Sequence, residues 1–359
     1  EQLAAIFAKV LKLDQVGIRD NFFDLGGHSF LVLRVLAEIE KACGRRLSVA
    51  TLFQAPTVEE IAGILSAGDS FDESDVIVPL NPHGTTPPLF SVWMGIATEL
   101  RELCRSLGPE QRFYGINSHW DPAKMRMTRI EEMAAYNLTH LCKVQPHGPY
   151  HLSSDCVSTL IVLEIAQQLL AEGEEVAALI LIDPPAPKTW IKASKAPTTT
   201  VYRNRVRNYL RSLGKRNAID QFASLSMHAL NAIWGRIALY VCKALGLPLS
   251  HGVLSRYIFY AHLKARDNYV PKAYAGRIWF IWASGNMDES KRREIQNAWS
   301  RLAARSTHRT VPGAHDELFK EPYVRPLAEE MKICLAEARS VPHANVEGDA
   351  LGNRRAATN

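Results

Sequence analysis

The chain has 359 residues, 47% of them hydrophobic and 22% charged, and carries a net charge of +5. That composition suits one or two globular domains with a large buried core. It excludes a membrane span, because no apolar run is long enough, and a net charge this mild gives no indication of nucleic acid as a partner. The opening residues, EQLAAIFAKVLKLDQ, lack the basic start, apolar centre and cleavage site of a secretory signal. With no Met at position 1, the sequence is expected to be part of a longer one. Cys43, Cys104, Cys142, Cys156, Cys242 and Cys334 are scattered, with no CxxC pair and no His cluster at metal-ligand spacing. A disulfide framework and a zinc site are therefore not expected, and a reducing cytoplasm is. Five of the six sit in apolar helical or strand patterns and read as small buried hydrophobes. Cys156 is the exception.

In chain order, Leu3, Ile6, Phe7, Val10 and Leu11 have helical spacing. The loop DQVGIRDNFFDLGGHS follows and leads into an amphipathic helix, FLVLRVLAEIEKACG, which Gly44 stops. TLFQAPTVEEIAGIL supplies another helix, with Thr57 and Glu60 placed as a capping box. Residues 1–66 thus predict an all-α bundle. SAGDSFDESD is small, polar and acidic, and reads as a linker over 67–75. Beyond it, VIVPL, LFSVW, RFYGIN, YHLSS, VAALILI and GRIWFIWA read as strands. Helices are predicted at 129–144, 157–171 and 322–338. Continuous apolar strands alternating with helices imply a mostly parallel sheet covered on both faces, over 76–340. From about 187 to 264 the alternation lapses into helical, basic sequence, an expected lid. Residues 341–359 are polar and expected to be a disordered tail.

Between Asp183 and Asp220 there is no acidic residue, while nine Lys and Arg run from Lys188 to Arg216. Such a run is most often a solvated face; the alternative is an anionic partner or substrate. Ser29, after Asp24-Leu25-Gly26-Gly27-His28, is on local grounds an N-cap, or else a hydroxyl presented on a glycine turn for modification. Ser154-Asp155-Cys156-Val157-Ser158 runs from a strand into a helix. It has the register of a G-x-S-x-G nucleophile elbow, with both glycines replaced by serine and the nucleophile by cysteine. The plain alternative is a buried structural thiol.

FFDLGGHSFLVLRVLAEI resembles the attachment motif of peptidyl carrier domains of nonribosomal peptide synthetases. VQPHGPYHL and LEIAQQLLAEGEEVAALILIDPPAP resemble type I thioesterases from the ends of such synthetases, which have the α/β-hydrolase fold. The resemblance implies a 4′-phosphopantetheine arm on Ser29, attached by a separate transferase. It also implies upstream synthetase domains that deliver a peptidyl substrate. In the thioesterase part it implies Cys156 as nucleophile, His315 of VPGAHD as base and Asp183 of LILIDPP as acid, with Asp288 as the rival one strand later. The backbone N–H groups of Val157 and Gly95 would form the oxyanion hole. No metal is implied. The carrier is expected to dock on the lid of its own thioesterase.

Cysteine-containing members resemble thioesterases that close β-lactam rings, of the monobactam (sulfazecin-type) kind. That resemblance implies cyclising release of an anionic acyl chain, which fits the basic segment. Hydrolysis or macrocyclisation by the same triad, and a catalytically dead docking module, are the alternatives.

Overall fold

The computed structural model describes residues 1–27, 29–45, 47, 49–67, 76–93, 98–117, 129–186, 262, 264–285 and 288–340. Two units follow one another. The first contains the helices α1 (Gln2–Leu11), α2 (Ser29–Cys43), α3 (Val49–Gln54) and α4 (Val58–Ala67). Its core gathers Phe7, Val10, Phe22, Val32, Val35, Ile39, Leu52 and Ile61. The predicted signals act as read. Gly44 N–H donates to Glu40 O at 2.8 Å just past α2. At α4, Thr57 N–H donates to Glu60 Oε2 at 3.1 Å, and Glu60 N–H donates to Thr57 Oγ1 at 3.2 Å. This reciprocal pair satisfies two donors that a helix start otherwise leaves open.

The second unit is a seven-stranded sheet. Its strands are β1 (Ile77–Asn81), β2 (Leu89–Trp93), β3 (Phe113–Asn117), β4 (Tyr150–Asp155), β5 (Val176–Ile182), β6 (Tyr274–Ala283) and β7 (Ala303–Val311). The spatial order is β1-β3-β2-β4-β5-β6-β7, with β1 antiparallel to β3 and every other pairing parallel. The helices are α5 (Thr98–Leu107), α6 (Ile130–Val144), α7 (Thr159–Ala171), α8 (Glu289–Ser300) and α9 (Val324–Ser340). Parallel neighbours need such crossovers, and the crossovers cover both faces. Along β5 the side chains divide accordingly. Leu179 and Leu181 join Ile161, Ile165 and Trp299 on one face, while Ile180 and Ile182 join Leu103, Leu327 and Met331 on the other. A central strand buried on both sides must be apolar throughout, as VAALILI is. This is the α/β-hydrolase architecture.

Two helices were not singled out in the sequence. In α5, Leu100, Leu103, Cys104 and Leu107 face the core at helical spacing within TELRELCRSL, so its period was present but not read. In α8 only Ile295 and Trp299 are buried. Two buried residues in α8 are too few to establish a period. The predicted lid lies outside the described residues apart from positions 262 and 264. Linker residues 68–75, the tail 341–359 and Gly95 lie outside them as well. Among the described residues, no helix is long and apolar enough to cross a membrane.

Leu181 is fully buried at the centre of the sheet. Leu181→Ala is expected to destabilise the second unit by about 2–5 kcal/mol. The check is a urea titration showing a lower midpoint at unchanged slope.

Candidate active site

The central parallel strands end at one edge of the sheet, and the candidate residues lie there. At β4 the register pairs Ser154 with Val92 of β2 and Asp155 with Ile182 of β5. The chain then turns at once into a short 3₁₀ turn, Cys156–Ser158, that continues as α7. Cys156 has φ +49°. A left-handed conformation at a non-glycine residue costs on the order of 1–3 kcal/mol, so the surroundings must hold it. Thr159 Oγ1 donates to Cys156 O at 2.6 Å, and Ser154 Oγ donates to Val92 O at 2.8 Å. Ser154 and Ser158 are almost wholly buried. The first serine therefore does more than tolerate the glycine position: its hydroxyl ties the elbow to the neighbouring strand. The sequence showed only that both positions stay small.

Asp183 follows the last residue of β5 and also has a left-handed backbone, φ +43°. Its N–H donates to Ile281 O at 2.7 Å, and its Oδ1 accepts from Ala283 N–H at 3.2 Å, both on β6. Its other oxygen, Oδ2, lies 2.6 Å from His315 Nδ1. His315 follows β7 on a loop that Gly313 turns at φ +104°. Gly313 O accepts from Gly285 N–H at 2.8 Å, and Ala314 N–H donates to Glu317 Oε2 at 3.0 Å. Glu317 and Gly285 are supports that sequence reading did not single out. The signals were an acidic residue two past the histidine and a glycine two past the end of β6.

The carboxylate hydrogen bond from Asp183, then the hydrogen bond with Cys156, push the His315 imidazole up to about 10 from its ordinary 6.5, against an opposing desolvation. The ring is one-third exposed and Asp183 one-sixth. With Nδ1 engaged by Asp183, the other nitrogen is left for the thiol. That contact lets the imidazole exchange a proton with the thiol directly. At the helical cysteines, burial pushes Cys104 up to about 11 and Cys334 up to about 12, and raises Cys142. Those thiols are packing groups.

The structure thus brings Cys156, His315 and Asp183 together, with Val157 next along the chain. Asp288 does not join them. It is the N-cap of α8, where its carboxylate accepts from Ser290 N–H at 3.3 Å and Ser290 Oγ at 2.6 Å, and these bonds lower its pKa. Ser29 belongs to the helical unit, as the first residue of α2.

A thioesterase-domain model matches residues 89–330. The chain belongs to the thioesterase family. Ahead of the thioesterase, a phosphopantetheine attachment-site model matches residues 1–65, so the helical unit is a carrier for that covalently bound cofactor. The dimodular nonribosomal peptide synthase of Bacillus subtilis (strain 168) is 36% identical over 200 residues, covering 55% of this chain and 8% of that protein. Malpibaldin synthetase of Mortierella alpina is 38% identical over 186 residues, covering 50% of this chain and 3% of that protein. The chain therefore spans less than a tenth of the length of these relatives. Among solved structures, holo-AB3403, a four-domain nonribosomal peptide synthetase bound to AMP and glycine, covers 95% of the chain. It shares 26% identity at a TM-score of 0.54, and the match spans 26% of that protein.

Removing the charge of Asp183 while keeping its shape separates the two acids. Asp183→Asn is expected to slow thioester turnover by about 100-fold or more, because the imidazole loses its orienting anion. Asp288→Asn is expected to leave the rate unchanged; steady-state assays on a soluble thioester read both.

A pH titration checks the imidazole independently. A base whose pKa is raised on folding contributes stability that is complete below its ordinary value and lost as pH climbs through its folded value. Stability from His315 is therefore full below 6.5 and fades towards about 10. The thermal midpoint of the thioesterase should fall further between those pH values than that of His315→Gln, which lacks the titrating group.

Proposed function

We propose that the chain is a release module of a nonribosomal peptide synthetase. In this reading an acyl group passes from the carrier at Ser29 to Cys156, and is then freed by an internal nucleophile that closes a ring, of the β-lactam type. The observation that carries the chemistry is the Cys156–His315–Asp183 chain of hydrogen bonds at one sheet edge.

The carrier's own geometry fits the cofactor. Gly27 N–H donates to Phe22 O at 2.9 Å, and a Cβ on Gly27 would meet the Phe22 ring at 2.3 Å. The turn is closed against the core, and α2 starts with Ser29 immediately beyond it. When bound, 4′-phosphopantetheine supplies the acyl group as a thioester on a long arm.

The chain's residues do the rest. Asp183 holds Nδ1 of His315 and so fixes the ring orientation. His315 takes the proton of Cys156 at its other ring nitrogen as Sγ attacks the acyl carbonyl. The carbonyl oxygen becomes an oxyanion, for which the Val157 N–H, at the start of the α7 turn, and that of Gly95 are the proposed donors. As the carbonyl reforms, His315 gives its proton to the departing sulfur of the carrier's arm. In the second step His315 accepts a proton from the incoming nitrogen of the same acyl chain, the C–N bond forms, and His315 returns the proton to the departing Cys156 Sγ.

Cysteine suits this second step. Acyl transfer from a thioester to Cys156 makes another thioester, so little activation is lost, whereas a serine would form an oxoester, which amines attack less readily. A weak or strained nitrogen nucleophile needs that retained activation. The basic run from Lys188 to Arg216 in the predicted lid fits an anionic acyl chain, and its position lies outside the described residues.

The deciding measurement is intact mass of the product freed from a loaded carrier. Cyclisation gives a product lighter by one water than the hydrolysed acid. Cys156→Ser is expected to shift products from ring towards free acid, and Ser29→Ala to abolish loading. A serine variant that cyclises as well as its parent removes the advantage assigned to sulfur.

A further inference from the structure

The carrier and the thioesterase meet through a contact that no catalytic role explains. Phe53 of α3 packs against both cores, the carrier's and the α5/α9 face of the sheet. Its ring stacks on Phe23 at 4.7 Å with an interplanar angle of 27°. On the other unit, the Arg101 guanidinium of α5 lies 4.5 Å from the Phe23 ring centroid. The same guanidinium reaches Asn21 Oδ1 and Asp24 Oδ1, each at 3.4 Å. Arg105, one turn further along α5, reaches Asp24 Oδ1 at 3.4 Å as well. A lone exposed ion pair is worth little. Here a planar guanidinium covers an aromatic face while its edge meets two oxygens, a combination that lysine cannot reproduce.

The location gives the contact a purpose. On the carrier, Asn21, Phe23 and Asp24 lie in the turn leading to Ser29. On the thioesterase, α5 is the first helix after β2, and β2 is in register with β4, Val92 opposite Ser154. The ends of these two strands are level, so the start of α5 belongs to the sheet edge that bears Cys156. Arg101 is the fourth residue of α5, within one turn of the helix start at about 1.5 Å of rise per residue.

We infer that α5 is the thioesterase's recognition surface for the loaded carrier, with Arg101 gripping Phe23 and Asp24 so that the arm on Ser29 is delivered to the Cys156 edge. The delivery step rests on the release reading above; the grip itself does not. Arg101 is a docking residue and touches no reacting atom.

The test uses the full holo chain, with loading of every variant verified by intact mass. In Arg101→Glu, acyl transfer from the Ser29 arm should fall by about tenfold or more, because the guanidinium is replaced by a charge repelled by Asp24. Arg101→Lys should fall between the two. Turnover of the same acyl group as a soluble N-acetylcysteamine thioester should be unchanged in both variants. Hydrogen exchange at residues 21–25 should accelerate in Arg101→Glu, which reads the grip without any chemistry. The inference is overturned if tethered and soluble substrates slow equally, since α5 would then merely brace the sheet edge. It is also overturned if tethered transfer is unaffected, or if it speeds up, as release from a parked carrier would. Unchanged exchange at residues 21–25 overturns the grip. Failure of the release reading shows separately, as a parent that forms no acyl adduct on Cys156.

Discussion

The hydrogen bond between Asp183 Oδ2 and His315 Nδ1 joins residues 132 positions apart in the chain. Much of the thioesterase half serves to make that contact possible. A carboxylate at the end of a buried strand is costly unless it is bonded, and Asp183 has β6 backbone donation on one oxygen and an imidazole on the other. The left-handed backbone at Asp183 is the deformation that turns its side chain out of the sheet. A second left-handed residue, Cys156, does the same for the thiol one strand away. Both deformations are held by hydrogen bonds to neighbouring backbone.

Parallel strand order gives the site its coherence. Because β2, β4, β5, β6 and β7 run the same way, their exits share one edge, and loops from distant parts of the sequence converge without long detours. The helices on each face seal the sheet, and the polar chemistry is confined to the exits. Asp288 shows how local context decides between similar carboxylates. It too follows a strand, but a helix begins immediately after it, and its oxygens are taken by the open donors of that helix. Asp183 is followed by two prolines, which have no N–H to offer.

The carrier half depends on the same economy of backbone donors. A tight turn closed on Phe22 leads into α2, and aromatic residues of that turn and of α3 form the surface that meets α5. One guanidinium thereby links the segment ahead of the attachment serine to the first helix after β2. α5 carries Leu100, Leu103, Cys104 and Leu107 at helical spacing, a period present in the sequence although the helix was not predicted.

Local signals were legible wherever they act locally. The capping box at Thr57 and Glu60, the stop at Gly44, the uninterrupted apolar run of β5 and the small residues flanking Cys156 all state backbone needs within a few positions. From them came the helical bundle and the parallel sheet; the order of thiol, acid and base came from the resemblance to thioesterases. What the linear pattern left open was spatial. It did not separate Asp183 from Asp288 by geometry, assign Ser154 a partner on β2, or place Glu317 and Gly285 behind the histidine loop. Nor did it bring Arg101 onto Phe23. Those are contacts between segments far apart in the chain. They exist only once the sheet sets strand order and register, because hydrogen-bond partners are chosen by distance in space and periodicity reports only distance along the chain.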